Sequence, residues 1–302
     1  MPTVLITGAS GLLGRAVRAA FAAAPGGWVV VAAGHSRVGG DTGLVASDLR
    51  TPGGCAALIE AHAPDVVIHA AAERRPDVCE RDVESSERLN VDAVWALARA
   101  AAHKNAAFVQ ISTDYLFAGD AAPYGEADAP APPNEYGRQK LRGEYAALAA
   151  NPRSIVLRVP VLYGPTADLS ESAVTMFAAV VLASETPATV DDWQVRVPTL
   201  TSDVGATLVN VANAVVAGAA VRGVYHFSSR ERFTRWTLVA EFARLLGRST
   251  SHVTRLDGPP PGAPRPRDCM LSCDRLAAAG LAAPCTPFAE GAAAVLRGAG
   301  AL

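Results

Sequence analysis

Apolar positions in the first half of the chain follow two alternating rhythms. "TVLIT" at 3–7 is a short continuous apolar run, the pattern of a strand buried on both faces, and "LLGRAVRAAFAAA" at 12–24 repeats at helical spacing. The pair then recurs. "WVVVAA" reads as a strand, "CAALIEAHA" as a helix and "DVVIHAAA" as a buried strand. "ERLNVDAVWALARAAAHK" reads as a long amphipathic helix, "AFVQIST" as a strand, "NEYGRQKLRGEYAALAA" as a helix and "SIVLRV" as a strand. Asn134 suits the N-cap of the last helix, with Pro132 and Pro133 just before it. Strands alternating with helices predict a parallel sheet covered on both faces.

After Tyr163 the rhythm changes. Helical spacing appears at 170–183, 202–216, 234–246 and 287–297, separated by the strand-like pieces "VRVPT" and "GVYHFSS". "DGPPPGAPRPRD" at 257–268 is proline-rich but short, which predicts an ordered loop. The expected fold is α/β: a doubly wound, Rossmann-type parallel sheet with a smaller α/β C-terminal lobe. The nucleotide-binding domain is expected over 1–160, with 201–227 returning to it. Residues 161–200 and 228–302 then make the smaller substrate or partner lobe, across a cleft.

The 302 residues include 50% hydrophobic and 19% charged positions, which fits a globular protein with a sizeable core. A formal net charge of −2 gives no electrostatic case for nucleic acid or an anionic membrane. No apolar run approaches the roughly 20 residues that span a bilayer. "MPTVLITGAS" lacks the basic start of a signal peptide, and the expectation is a cytoplasmic protein. The five cysteines (Cys55, Cys79, Cys269, Cys273 and Cys285) are odd in number and scattered, as expected of reduced thiols. Cys269 and Cys273 are the one close pair, with no further ligand nearby for zinc, so no metal site is expected.

"TGASGLLG" places Gly8, Gly11 and Gly14 between a strand and a helix. In that context Gly8 permits a tight turn, Gly11 lets the backbone approach a pyrophosphate, and Gly14 lets the helix pack close to the strand. Ser10, Leu12 and Leu13 belong to the same backbone cradle, whose N–H groups and helix dipole favour an anion. The second strand ends "VVVAAGHSRVGG", with no acid before Asp41 to hold a ribose hydroxyl. Ser36 and Arg37 stand where a 2′-phosphate would lie, and the arginine fork suits phosphate, so NADP(H) is the expected cofactor. Asp48 and Leu49 are expected at the adenine. Ala70, Ala71 and Ala72 leave room beside the fourth strand.

"QISTDYLF" ends the fifth strand, where open α/β sheets bind ligands, and so places Thr113 at the expected site. "YGRQK" then sets Tyr136 and Lys140 four apart on one helix face. A lysine cation beside the phenol would lower its pKa toward the working range, with Thr113 hydrogen-bonding a substrate carbonyl and Tyr136 supplying the proton. Asn90 is a candidate brace for the site's backbone. Glu73, Arg74 and Arg75 follow a strand end and face the expected cleft. His69, in an apolar strand, is expected to be a satisfied core histidine.

The glycine loop, "STDYLF" and "YGRQK" resemble the extended short-chain dehydrogenases/reductases, and "STDYLFAGDAAPYGEADAPAPPNEYGRQKLRGE" is similar to the dTDP-4-dehydrorhamnose reductase branch. That branch includes regulatory β subunits of methionine adenosyltransferase. "HAAAERRPDVCE", "RVPVLYG", "ESAVTMF", "WQVRVPT" and "RPRDCMLSCDRL" resemble that second group more closely. The resemblance covers nearly the whole chain. It implies either an NADP(H)-binding regulatory protein that associates with a methionine adenosyltransferase catalytic subunit, or an NADPH-dependent reductase of a nucleotide-linked keto sugar. It also places Asp77 and Glu80 near a substrate loop. Two departures alter the expected sugar pocket: Val161 replaces a tryptophan and Arg196 a glycine. The chain ends "RGAGAL", without the aromatic, basic tail of the β subunits, which predicts a weaker tail contact.

Overall fold

The computed structural model describes residues 1–35, 43–51 and 53–302. The first half supplies β1 (Thr3–Thr7), β2 (Val29–Gly34), β3 (Leu44–Ala46), β4 (Val66–His69), β5 (Ala107–Thr113) and β6 (Ser154–Val159). Between them run α1 (Leu12–Ala22), α2 (Gly54–His62), α3 (Pro76–Arg81), α4 (Val83–Glu87), α5 (Ala93–His103) and α6 (Glu135–Ala150). The second half adds short strands β7 (Leu162–Tyr163), β8 (Ala188–Asp191), β9 (Val195–Arg196) and β10 (Thr199–Leu200), then β11 (Gly223–His226), β12 (Phe233–Thr234) and β13 (Val253–Leu256). Its helices are α7 (Met176–Leu182), α8 (Thr201–Val216), α9 (Arg235–Leu246), α10 (Asp274–Ala278) and α11 (Phe288–Gly298).

Seven of these strands form one sheet in the order β11-β6-β5-β4-β1-β2-β3, every pair parallel. Alternate side chains feed two cores, because successive strand residues point to opposite faces. Val4, Ile6, Ile68 and Val109 pack with Val17 and Phe21 of α1 and Val204 and Leu208 of α8. Leu5, Val67 and Phe108 pack with Leu58, Leu97 and Ala147 of α2, α5 and α6. Each fully buried Leu, Val or Phe contributes roughly 1.5–3 kcal/mol, and this two-sided burial holds the sheet. A third core, around Tyr163, Phe177, Phe242 and Phe288, belongs to the second half alone.

The order reverses between β1 and β4, and ligands of open parallel sheets lie at such a point, beyond the carboxyl ends of the strands. Gly8 follows β1 and Ala70 follows β4 there.

The sequence pattern differs from the structure in three places. The helix expected over 170–183 is a 3-10 turn, Leu169–Glu171, followed by α7 from Met176. Ser172 accepts from the Val174 N–H and donates to the Leu162 carbonyl, so its hydroxyl takes contacts that would compete with a helix. The long helix expected through 87–104 widens to a π turn over Arg88–Asp92. Residues 76–87 form two short helices, started by Pro76 in the first turn and by the Asp82 carboxylate, which accepts from Ser85 N–H.

Candidate active site and nucleotide crevice

The glycine loop is built by close approach. Gly8 sits at φ +69°, a conformation costly for other residues, and a Cβ there would come within 2.6 Å of the Ala71 nitrogen. A Cβ on Gly14 would overlap the Gly8 carbonyl oxygen, so α1 can cross the turn only with glycine at that position. Gly11 differs: its φ is −78° and an added Cβ would meet only that same oxygen, at 3.3 Å. Gly11, the N-cap of α1, has no side chain with which to cap it. Its first N–H groups and the helix dipole therefore offer a seat for an anion, and the loop fits a dinucleotide pyrophosphate.

Around this seat, Ala70 and Ala71 border Gly8 from the end of β4, and Ala72 follows them. Asp48 pairs with Arg50 at 2.9 Å, which holds its carboxyl down at about 2, and Leu49 is buried beside Cys55. Ser36 and Arg37, the expected 2′-phosphate contacts, lie outside the described residues. Arg15 of α1 donates to the Ser10 carbonyl at 2.9 Å and pairs with Glu171 at 2.6 Å. Arg74 donates to the Glu171 carbonyl at 2.7 Å, so both arginines tie the second half of the chain to the crevice. A groove of about 700 Å³ opens there, lined by Arg15, Arg74, Asp168, Glu171 and Val295 among others, and none of Thr113, Tyr136 and Lys140 lines it.

Thr113 closes β5, and its hydroxyl donates to Asp114 at 3.2 Å while lying against the Tyr136 phenol. Tyr136 and Lys140 stand on the first turns of α6. Asn134 caps that helix by accepting from Gly137 N–H at 2.8 Å, and Glu80 accepts from Glu135 N–H at 2.8 Å. Gly137, inside "YGRQK", has a packing role: a Cβ there would overlap the Tyr115 carbonyl oxygen. That approach sets the rings of Tyr115 and Tyr136 edge to face at 6.1 Å. Lys140 Nζ, buried, donates to the Ile111 carbonyl at 2.7 Å.

The electrostatics correct one expectation. The Tyr136 phenol is not lowered by Lys140: burial raises it, with Thr113 opposing. Burial also draws Lys140 down to about 8, with Glu144 opposing. Desolvation is the largest influence on both groups, and neither acts on the other's titration. Burial likewise pushes Asp114 up to about 6, with Arg196 opposing.

Asn90, inside the π turn, is fully buried. It accepts from Glu73 N–H at 2.9 Å and donates to the Glu73 carbonyl at 3.0 Å and to Gln139 at 2.9 Å. It thus fixes the chain that leaves β4. Glu73 itself grips Arg75 at 2.7 Å. His69 is only half satisfied: its Nδ1 meets Thr7 Oγ1 at 2.7 Å, while Nε2 has no hydrogen-bond partner among the described residues. Asp77 and Glu80 are engaged in holding structure. Asp77 binds Arg265 and accepts from Ala263 N–H at 2.8 Å, fastening the proline-rich loop, and Asn134 Nδ2 donates to Pro264 of the same loop.

Arg196 has the opposite character. It is 6% exposed, donates to the Tyr115 hydroxyl at 3.1 Å and to the carbonyls of Val195 and Pro266, and stands over the Tyr115 ring at 5.4 Å. Arg235 and Arg265 lie close enough to oppose one another's charge, yet each has an acid, Asp191 and Asp77. Among the described residues no carboxylate lies within ion-pair distance of Arg196. Asp114, Tyr115 and Arg235 were not singled out from the sequence. For the first two the signal was present, since they directly follow Thr113 in "STDYLF".

Comparison with known proteins agrees with this geometry. The family model described as the RmlD substrate binding domain matches residues 2–299. Methionine adenosyltransferase 2 subunit beta of Danio rerio is 38% identical over 287 residues, 94% of this chain and 87% of that protein. A dTDP-4-dehydrorhamnose reductase of Aggregatibacter actinomycetemcomitans is 32% identical over 230 residues, 76% of this chain and 74% of that one. The dTDP-4-dehydrorhamnose reductase of Bacillus anthracis, solved in complex with NADP, shares the fold with a TM-score of 0.82 at 22% identity, over 98% of each chain. The chain belongs to the RmlD substrate binding domain family, alongside the dTDP-4-dehydrorhamnose reductases and the methionine adenosyltransferase β subunits.

Proposed function

We propose that this protein binds NADP(H) at the glycine loop and acts as a regulatory partner of a methionine adenosyltransferase catalytic subunit. The observation that carries this reading is the extent of the likeness. Identity to the β subunit runs through 94% of the chain at 38%, against 76% at 32% for the reductase. Gly8, Ser10, Gly11, Leu12, Leu13 and Gly14 would hold the pyrophosphate, with Ala70–Ala72 beside it and Asp48 and Leu49 toward the adenine. The test mixes the full chain with the catalytic subunit from the same source, with and without NADPH. Co-sedimentation and a changed rate of S-adenosylmethionine formation support the reading. Separate sedimentation in both conditions refutes it.

The arrangement of Thr113, Tyr136 and Lys140 favours a second reading, a carbonyl reductase. NADPH, when bound, supplies the hydride. Thr113 hydrogen-bonds the substrate oxygen. Tyr136, kept protonated by its burial, delivers the proton. Lys140 holds the phenol side of the site through its anchor on Ile111. Arg196 selects the substrate: a buried guanidinium that has Asp114 in electrostatic range but, among the described residues, no ion-paired carboxylate, attracts a carboxylate or phosphate beside Tyr115. NADPH consumption with dTDP-4-keto sugars, compared with small keto acids, separates the two substrate types. No consumption with any carbonyl compound removes this reading and leaves the regulatory one.

A further inference from the structure

The close cysteine pair of the sequence is not the close pair of the structure. Cys269 is 2% exposed and donates to the Phe117 carbonyl at 3.4 Å, inside a small core with Tyr124 and Leu271. Cys273, twelve residues before Cys285, instead shares an acceptor with it. Both thiols donate to the Ser228 carbonyl, Cys285 at 3.5 Å and Cys273 at 3.9 Å, so both sulfurs stand within reach of one oxygen atom, and Cys285 lies in electrostatic range of Cys273. Cys285 is exposed and Cys273 half-buried. The shared carbonyl lies two residues beyond the end of β11.

We propose that Cys273 and Cys285 are a thiol pair that peroxide converts to a disulfide, with the exposed Cys285 oxidised first and Cys273 as the resolving thiol. In the first step the Cys285 sulfur, as thiolate, attacks a peroxide oxygen. The O–O bond breaks, a sulfenic acid forms and hydroxide leaves, taking up the thiol proton to become water. In the second step the Cys273 sulfur attacks that of Cys285. The S–S bond forms, the S–O bond breaks and a second water leaves with the Cys273 proton. Two thiols are oxidised by two electrons, and one peroxide is reduced to two waters. The low-lying alternative, Cys269, is excluded by its burial and its own acceptor.

The surroundings set the speed. Burial pushes Cys273 up to about 12 and raises Cys285 too, with Arg230 opposing at both. Little thiolate exists at neutral pH, so the pair stays reduced through brief exposure and closes under sustained oxidant. The bond would join the N-cap of α10 to the segment entering α11. Arg275 of α10 already donates to the Val224 carbonyl of β11 at 2.7 Å, so the lock would fasten the C-terminal helices to the sheet edge.

The test treats the native full-length protein with excess hydrogen peroxide at neutral pH, blocks remaining thiols with N-ethylmaleimide and digests without reduction. Trypsin yields 268–275, holding Cys269 and Cys273, and 276–297, holding Cys285. The expected product is these two peptides joined, with maleimide on Cys269 alone and otherwise 2 Da lighter than their sum, and separated again by dithiothreitol. Cys269→Ser retains the crosslink, whereas Cys273→Ser loses it and leaves Cys285 as sulfenic or sulfinic acid. Wild-type protein in which Cys285 overoxidises uncrosslinked, or in which the bond maps to Cys269, overturns the proposal.

Discussion

Glu144 of α6 and Arg158 of β6 form an ion pair inside the protein, 2.7 Å apart, with side chains only 1% and 5% exposed. The guanidinium also meets His226 Nε2 at 3.3 Å and stands over the Phe117 ring at 5.5 Å. One buried cation thus joins the helix that bears Tyr136 to β6 and β11. Glu144→Ala leaves Arg158 buried without its counter-charge, and the expected loss is about 3–5 kcal/mol. Urea unfolding checks this. The double replacement Glu144→Leu with Arg158→Met should cost clearly less than the single one, since no charge is then stranded.

Gly14 and Gly11 should separate in their effects. Gly14→Ala forces a methyl into the Gly8 carbonyl, so the fold should lose stability by about 1–3 kcal/mol. Gly11→Ala meets one oxygen at 3.3 Å and has no φ penalty, so thermal melting should shift little. NADPH affinity measured by calorimetry should nevertheless fall for Gly11→Ala, because the methyl stands where the pyrophosphate approaches. Unchanged affinity would mean that the loop is a turn and no cradle.

Lys140→Met should make the protein more stable at pH 7. The native pKa of about 8 lies below the ordinary value near 10.5, so the folded state binds fewer protons than the unfolded one between those values. The group's stabilising effect is therefore present at high pH and lost as pH falls through about 8. Removing it recovers about 1–2 kcal/mol at neutral pH, after allowing for the lost hydrogen bond to Ile111. Melting curves of both proteins at pH 7 and pH 10 should converge at the higher pH. A destabilised variant at pH 7 would count against the buried-cation picture.

Asp114 carries the opposite sign. Its carboxyl titrates at about 6 against an ordinary 3.8, so the folded state holds the extra proton between those values. Its contribution is fully present below about pH 4 and is lost as pH rises through about 6. Asp114→Asn should remove that slope and gain on the order of 1–3 kcal/mol relative to wild type at pH 7. Equal pH slopes in the two proteins between 4 and 6 would refute the assignment.

If the protein reduces a carbonyl, Tyr136→Phe should lower turnover by about 10²–10⁴-fold with NADPH still bound, since the ring stays and only the proton donor goes. Stopped-flow turnover together with fluorescence titration of NADPH separates chemistry from binding. Retained turnover would return "YGRQK" to a packing motif.

The parts of this molecule set by neighbours in sequence could be read before the fold was known. "TGASGLLG" and "YGRQK" act through spacings of three and four residues, and the alternating runs fixed the sheet order class because burial on both faces needs continuous apolar strands. What escaped depends on pairing across long separations. Asp77 meets Arg265, Glu171 meets Arg15, and Cys273 meets Cys285 over Ser228. No local pattern encodes such partners. The pKa directions escaped for a related reason: a four-residue spacing reports that Tyr136 and Lys140 are adjacent, whereas the cost of desolvating them depends on everything packed above.

The late return of β11 bears on how the chain is made. β6 leaves the growing polypeptide as the outer strand of an incomplete sheet, and its partner, Gly223–His226, follows more than sixty residues later. α8, which covers α1 and the apolar face of β1, emerges in the same late segment. During synthesis the N-terminal half therefore carries an open strand edge and an uncovered apolar layer until that segment clears the ribosome. Both features invite association with other chains. Expression hosts rich in trigger-factor-type holdases should improve recovery of soluble protein, and a fragment ending near residue 160 should aggregate where the whole chain does not.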